Sequence, residues 1–303
     1  MLMTNTDQSR EMRGDLRLQE PMSAHTSWRV GGMARQFYRP ADIADLAQFI
    51  GALKDNDALY WVGLGSNLLV RDGGLPGTVI CTSGVMKALQ FLEHDKVRVE
   101  AGLAMPQLAR QCARQGLRGT EFLCGIPGTV GGGLAMNAGA LGGEIWDLVE
   151  SVETVDRQGR LYQRSASDYE VAYRRVVGPA DEWFVAATLQ LAPGDSVESL
   201  QQIKTHLARR SATQPTQWPN AGSVFRNPPG DYAARLIEAA GLKNSCVGGA
   251  CVSEKHANFI INTGAASAAD IEALIEKIEQ QVKVEYGIGL VREVKIIGDR
   301  HVD

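Results

Sequence analysis

The stretch Asn220-Ala221-Gly222-Ser223-Val224-Phe225-Arg226-Asn227-Pro228 holds a serine in a tight segment between a glycine and an asparagine. In such a setting its hydroxyl can do chemistry, although a loop of this kind standing alone is more often only a turn. Its context changes that reading. Two glycine-rich stretches precede it, Gly63-Leu64-Gly65-Ser66-Asn67 and Gly125-Ile126-Pro127-Gly128-Thr129-Val130-Gly131, together with the pair Tyr173-Arg174. Together they point to a redox enzyme with a bound nucleotide cofactor.

The first glycine stretch follows the apolar run Leu59–Val62 and leads into Leu68-Leu69-Val70, a second extended segment. A dinucleotide fingerprint of the Rossmann type needs a third glycine and a helix start at that point, so that fold is excluded. A strand-loop-strand with Ser66 and Asn67 can still cup a phosphate by turning successive N–H groups inward. The second stretch, Cys124 to Asn137, holds five glycines, a proline, the Thr129 hydroxyl and the Asn137 amide. Three glycines in a row, Gly131-Gly132-Gly133, suit a place where another group comes very close. Two such loops in one half of the chain favour a long cofactor spanning both.

The elements that must carry these loops read as mixed α+β. Apolar residues recur at helical spacing over Asp42–Leu53 and Met105–Gln115, and helices are expected over Val197–Arg210, Tyr232–Ala240 and Ala268–Tyr286. Ser267 or Asp270 is placed to cap the last of these. Strands are expected at Val79-Ile80, Val97–Ala101, Val149–Val155, Phe184–Leu191, Phe259–Asn262 and Val294–Ile297, with a turn at Asp156–Gly159. Strands and helices are grouped rather than alternating, which excludes a doubly wound sheet.

At 303 residues the chain is long enough for two or three domains. A net charge of −4 gives no basic field for nucleic acid, and no apolar run is long enough to span a membrane. The polar N-terminus has no signal-peptide core, so a cytoplasmic protein with a loose leader is expected. Five cysteines (Cys81, Cys112, Cys124, Cys246, Cys251) without CxxC spacing suggest neither a disulfide framework nor zinc, but buried free thiols. His25, His94, His206 and His301 show no metal-ligand spacing, and no metal is expected.

In order along the chain stand TSWRVGG from Thr26, GLGSN, GIPGTVGG, Tyr173-Arg174, NAGSVFRNP, AAGLK from Ala239, VSEKHANF from Val252, and Glu293-Val294. This series resembles the UDP-N-acetylenolpyruvoylglucosamine reductase family from about Thr26 to about Gly298, in its shorter form without a tyrosine-bearing insertion. The resemblance implies a two-lobed FAD-binding region of the vanillyl-alcohol-oxidase type followed by an α+β substrate domain. The expected division is a leader over 1–25, lobes over 26–75 and 76–195, and a substrate domain over 196–303. FAD would be bound non-covalently by Gly63, Leu64, Gly65, Ser66, Asn67, Gly125, Ile126, Pro127, Gly128, Thr129, Gly131 and Asn137. NADPH would supply the hydride, at a site shared with the substrate. That substrate would be the enolpyruvyl ether of UDP-N-acetylglucosamine, and the chain would act as a monomer.

By the same resemblance Ser223 matches the proton donor, while Arg174 and Glu293 match the groups at the substrate carboxylate. Tyr173, Asn227, Lys255 and His256 match substrate-binding positions. Arg209 and Arg210 are candidates for the diphosphate by charge alone, and both read as solvated residues at a helix end. Two other readings stay open. One is a flavin-dependent alcohol oxidase of the same superfamily, which often holds its flavin covalently. The other is a nucleotide-binding protein without chemistry.

Overall fold

A computed structural model describes residues 12–54 and 56–300. The expectations for residues 1–11 and for His301 fall outside these. The first sheet has the order β1 (Asp15–Pro21), β2 (Met33–Arg39), β5 (Leu75–Cys81), β3 (Leu59–Val62). β1 runs antiparallel to β2, whereas β2 and β3 both run parallel to β5. The leader reading therefore fails over Asp15–Pro21, which form an edge strand. Strand β5 also carries the first lobe past residue 75, because its Val79 and Ile80 pair with both neighbours.

Helix α1 (Ile43–Ala52) covers this sheet with Leu46, Phe49 and Ile50 buried. Asp42 caps it by accepting from the Asp45 N–H. The second sheet joins β6 (Leu89–Phe91) and β7 (Lys96–Glu100) to strands at Glu182–Gln190, Val149–Asp156 and Leu161–Ser165, all antiparallel. Helices α2 (Met105–Arg114) and α3 (Val130–Met136) pack into its core through Leu108, Ala109, Cys112, Val130 and Leu134.

Helix α4 (Ser196–Thr213) leads into the last region, where a small sheet (Cys246–Val247, Ala250–Val252, Ile260–Asn262) meets α5 (Ala233–Ala239) and α6 (Ala268–Tyr286). Ser267 and Asp270 cap α6 reciprocally, and Gly287 ends it in the left-handed region. Cys246 and Cys251 face each other across that sheet and are joined by a disulfide. This corrects the expectation of five free thiols: spacing along the chain does not reveal a hairpin that makes the two cysteines cross-strand neighbours. Cys81, Cys112 and Cys124 are free and buried.

The chain's last strand, Lys295–Ile297, returns to the first lobe and pairs in parallel with β4 (Leu68–Val70), just after the first glycine loop. Among the described residues no helix is long and apolar enough to cross a membrane, and no three His, Cys, Asp or Glu side chains are grouped to hold a metal ion.

Candidate active site

The two glycine loops meet on one cavity of about 610 Å³. Gly63, Leu64, Gly65, Ser66 and Asn67 line one wall, and Gly125, Ile126, Pro127, Gly128 and Thr129 the opposite one. At Gly63 a Cβ would lie 2.3 Å from the Thr129 hydroxyl oxygen, so the loops touch there. Gly65 has φ +64°, and a Cβ on it would lie 2.1 Å from the His25 carbonyl oxygen. Only glycine fits that position.

The backbone N–H groups of Gly65, Ser66 and Asn67, and of Gly128 and Thr129, donate to no described residue. Unpaired donors turned together in a glycine loop suit the phosphates of a nucleotide. The donor set therefore fits FAD.

The triple glycine is not a loop. It forms the first turn of α3, with the Thr129 hydroxyl accepting from the Gly132 N–H. Gly131 packs on Ala101, where a Cβ would come within 2.9 Å, and it does not line the cavity. Asn137 is also off the wall. Its buried side chain donates to Glu144 and to the Ala172 carbonyl and accepts from the Trp146 N–H, while its carbonyl accepts from Arg174. Both were expected to touch cofactor; neither lines the cavity, since Gly131 packs on Ala101 within the first turn of α3 and Asn137 is buried behind Arg174.

Arg174, Ser223 and Glu293 all line the other end of the cavity, with Tyr173 and Asn227. Tyr173 and Arg174 form the turn of a hairpin whose strands are Glu170–Ala172 and Arg175–Val177. Arg174 has φ +54°. A side chain other than glycine costs on the order of 1 kcal/mol or more there, and the contacts of Arg174 offset it. Its guanidinium donates to Glu293 Oε1 at 2.9 Å, to the Asn137 carbonyl at 3.1 Å and to the Gly139 carbonyl at 2.7 Å, and it lies over the Tyr173 ring. The Arg174 carbonyl in turn accepts from Arg226.

Ser223 sits on a segment clamped from both sides. Asn258 donates to the Phe225 carbonyl at 2.8 Å and accepts from the Phe225 N–H at 3.0 Å, and the Glu293 N–H donates to the Val224 carbonyl. Asn67 donates to the Glu293 carbonyl at 3.2 Å, which ties the first glycine loop to the same segment. The Ser223 hydroxyl bonds no described residue and opens on the cavity. Asn227 accepts from the Ala233 N–H and so starts α5.

Lys255 and His256 do not line this cavity. Lys255 reaches the Ser211 carbonyl at the end of α4. His256 packs edge-on against Phe259 and accepts from the Asn258 N–H, and burial lowers its affinity for a proton. Within that motif the residues at the cavity are Asn258 and Phe259, which charge alone did not single out. Gln214 and Lys295 line it too. Lys295 had no signal beyond its place beside Glu293.

Residues 34–164 match the family described as FAD binding domain, and residues 214–297 match the one described as UDP-N-acetylenolpyruvoylglucosamine reductase, C-terminal domain. A UDP-N-acetylenolpyruvoylglucosamine reductase of Alkalilimnicola ehrlichii is 58% identical, over 94% of this chain and 96% of its own length. One from Methylococcus capsulatus is 56% identical, over 95% of this chain and 94% of its own. The crystal structure of a UDP-N-acetylenolpyruvylglucosamine reductase from Thermus caldophilus superposes with a TM-score of 0.80 at 32% identity, covering 94% of this chain and 99% of that one. An FAD-binding region is thus followed by the reductase's own C-terminal domain, and the chain belongs to the UDP-N-acetylenolpyruvoylglucosamine reductase family, flavin-dependent oxidoreductases of peptidoglycan precursor synthesis.

Proposed function

We propose that this chain reduces the enolpyruvyl ether of UDP-N-acetylglucosamine to UDP-N-acetylmuramate with NADPH as the reductant, Arg174, Ser223 and Glu293 acting together. The observation that carries the proposal is the Arg174–Glu293 pair at 2.9 Å, on the same cavity as the Ser223 hydroxyl and the two glycine loops. The residues of those loops would hold FAD, which when bound would supply hydride chemistry at the terminal alkene carbon.

Addition of hydride there leaves negative charge on the neighbouring carbon, which spreads into the attached carboxylate. A planar guanidinium meets that carboxylate with two hydrogen bonds and stays charged. Glu293 and the Asn137 and Gly139 carbonyls fix the plane of the Arg174 fork before substrate arrives. Such preorganisation is what makes a charged donor effective in a transition state. The Ser223 Oγ–H bond breaks as its proton passes to the charged carbon, and the oxygen recovers a proton from solvent. Serine is a weak acid, so this role needs the fixed backbone that Asn258 and Glu293 give its segment.

Tyr173 and Asn227 are assigned to substrate; Lys255 and His256 are not retained there, since neither reaches the cavity. The test is NADPH oxidation by the yellow holoprotein, followed with and without the enolpyruvyl ether. Substrate-dependent oxidation that yields the lactyl ether supports the proposal. Oxidation of an alcohol by oxygen, with flavin retained after acid precipitation, would instead support the oxidase reading.

A further inference from the structure

Arginines in this molecule commonly meet carboxylates, as Arg71, Arg98, Arg164 and Arg292 do. Two half-buried arginines bond neutral groups instead. Arg210, read from the sequence as a solvated helix end, donates to the Gln214 side chain at 3.1 Å. Arg226 reaches much further: its Nη2 donates to the Arg174 carbonyl at 3.1 Å, across 52 residues of sequence. Among the described residues its side chain makes no other hydrogen bond, and its Nε is buried without a partner. A buried donor left unpaired costs free energy. Arg226 is therefore held in place at some cost, and the bond to one carbonyl oxygen is what that placement secures.

That carbonyl belongs to a residue whose backbone needs holding. Arg174 has φ +54°, and the direction of its carbonyl follows its own ψ. A donor on the carbonyl thus fixes the remaining soft dihedral of a strained residue. The hairpin around it has little other support. Its strands, Glu170–Ala172 and Arg175–Val177, form a two-stranded sheet by themselves, and such a hairpin alone is marginally stable. Between residues 170 and 177 only Val176 packs on the core of the second sheet, and a further tie runs from the Asn137 amide to the Ala172 carbonyl at 3.2 Å. Arg226 itself starts from fixed backbone. Its N–H donates to the Val291 carbonyl at 2.9 Å, and Phe225 bridges Arg292. Unlike its neighbours Phe225 and Asn227, it does not line the cavity.

Resting on the reading of Arg174 as the partner of the substrate carboxylate, we infer that Arg226 is a positioning residue that locks the Tyr173-Arg174 turn to the segment carrying Ser223. Proton donor and carboxylate clamp thereby keep one spacing. Glu293 holds Arg174 by its guanidinium, and Arg226 holds the same residue by its main chain. Without Arg226 the turn is free to rotate at ψ, and the charged fork leaves the plane in which it meets the carboxylate.

Arg226→Met keeps an apolar stem and removes the donor. In stopped flow on the yellow full-length protein it should slow reduction of the enolpyruvyl ether on the order of tenfold to a hundredfold, at saturating substrate, while flavin reduction by NADPH changes by less than about threefold. Arg226→Lys, which keeps a charged donor, should recover most of that loss. In an Arg174→Ala background the Met change should cost less than about twofold, because no side chain is left to place. Hydrogen exchange over residues 170–177, read without substrate, should speed by about tenfold in Arg226→Met and stay unchanged over α6. If Arg226→Met fails to fold, Arg226→Gln, polar but too short to reach the turn, carries the same tests. Unchanged reduction of the ether, equal slowing of both half-reactions, an undiminished loss in the Arg174→Ala background, or unchanged exchange in the hairpin would overturn the assignment. A wild-type chain that reduces no enolpyruvyl ether would sink the function reading instead, and the exchange rates would still decide whether Arg226 holds the turn.

Discussion

On the proposed mechanism, Ser223 is the residue whose removal should separate the two halves of the reaction. Ser223→Ala should leave flavin reduction by NADPH nearly intact and slow reduction of the enolpyruvyl ether by about 3 kcal/mol in barrier, the size of a lost transition-state donor. Stopped-flow traces in which both half-reactions slow alike would refute it. Arg174 and Glu293 are joined at 2.9 Å and half-buried, so they should act as one unit. Residues in contact are non-additive. Arg174→Ala and Glu293→Ala together should cost clearly less than the sum of the two single losses, with flavin content unchanged in each. A strictly additive cycle on the substrate half-reaction would assign them separate jobs. That these three positions meet at one cavity was legible because they stand in distinctive runs. Lys255 and His256 stood in a run as well, but charge pointed past Asn258, whose neutral amide does the holding.

Among the elements, periodicity placed the amphipathic helices and several strands of the two sheets but missed β1, β2 and β6, and serine and aspartate marked the start of α6. Helix α3 escaped because three glycines at its start mimic a loop; tertiary contacts override their poor helix propensity. The glycine loops permit a sharper expectation. Gly65→Val forces a branched side chain into φ +64° and against the His25 carbonyl, where backbone cannot yield. It should therefore purify with most of its flavin lost. Gly128→Val meets the flexible end of Met105 at 2.8 Å and should keep more flavin than Gly65→Val, though less than wild type. The absorbance ratio of flavin to protein in the purified variants checks the order, and two fully yellow proteins would reduce both loops to corners.

Across the whole molecule, Arg71 after β4 grips Glu272 of α6 with two bonds of 2.9 Å, and Arg300 adds a third at 3.1 Å. The hydrogen bond from Arg71 holds the Glu272 carboxyl below its ordinary pKa. A depressed carboxylate contributes stability that is complete above its unfolded pKa, near 4.5, and that is lost as pH falls through the lower folded value. Glu272→Gln should lower Tm at neutral pH by the equivalent of about 2 kcal/mol and flatten the acid limb of Tm against pH. An unchanged acid limb would show that this clamp does not join the last region to the first lobe. The division into lobes was only partly legible, because a boundary at residue 75 cannot foresee that β5 pairs on both sides.

The pairing of Lys295–Ile297 with Leu68–Val70 has a consequence for synthesis on the ribosome. The first glycine loop emerges first, but the carbonyl of Glu293 that Asn67 grips, and the strand beside β4 that follows it, are translated 226 residues and more later. A nascent chain can pair its two early sheets, yet β4 lacks its partner strand until residues 295–297 have left the exit tunnel. A chain broken off before residue 293 carries the loops without the Glu293 carbonyl that Asn67 grips.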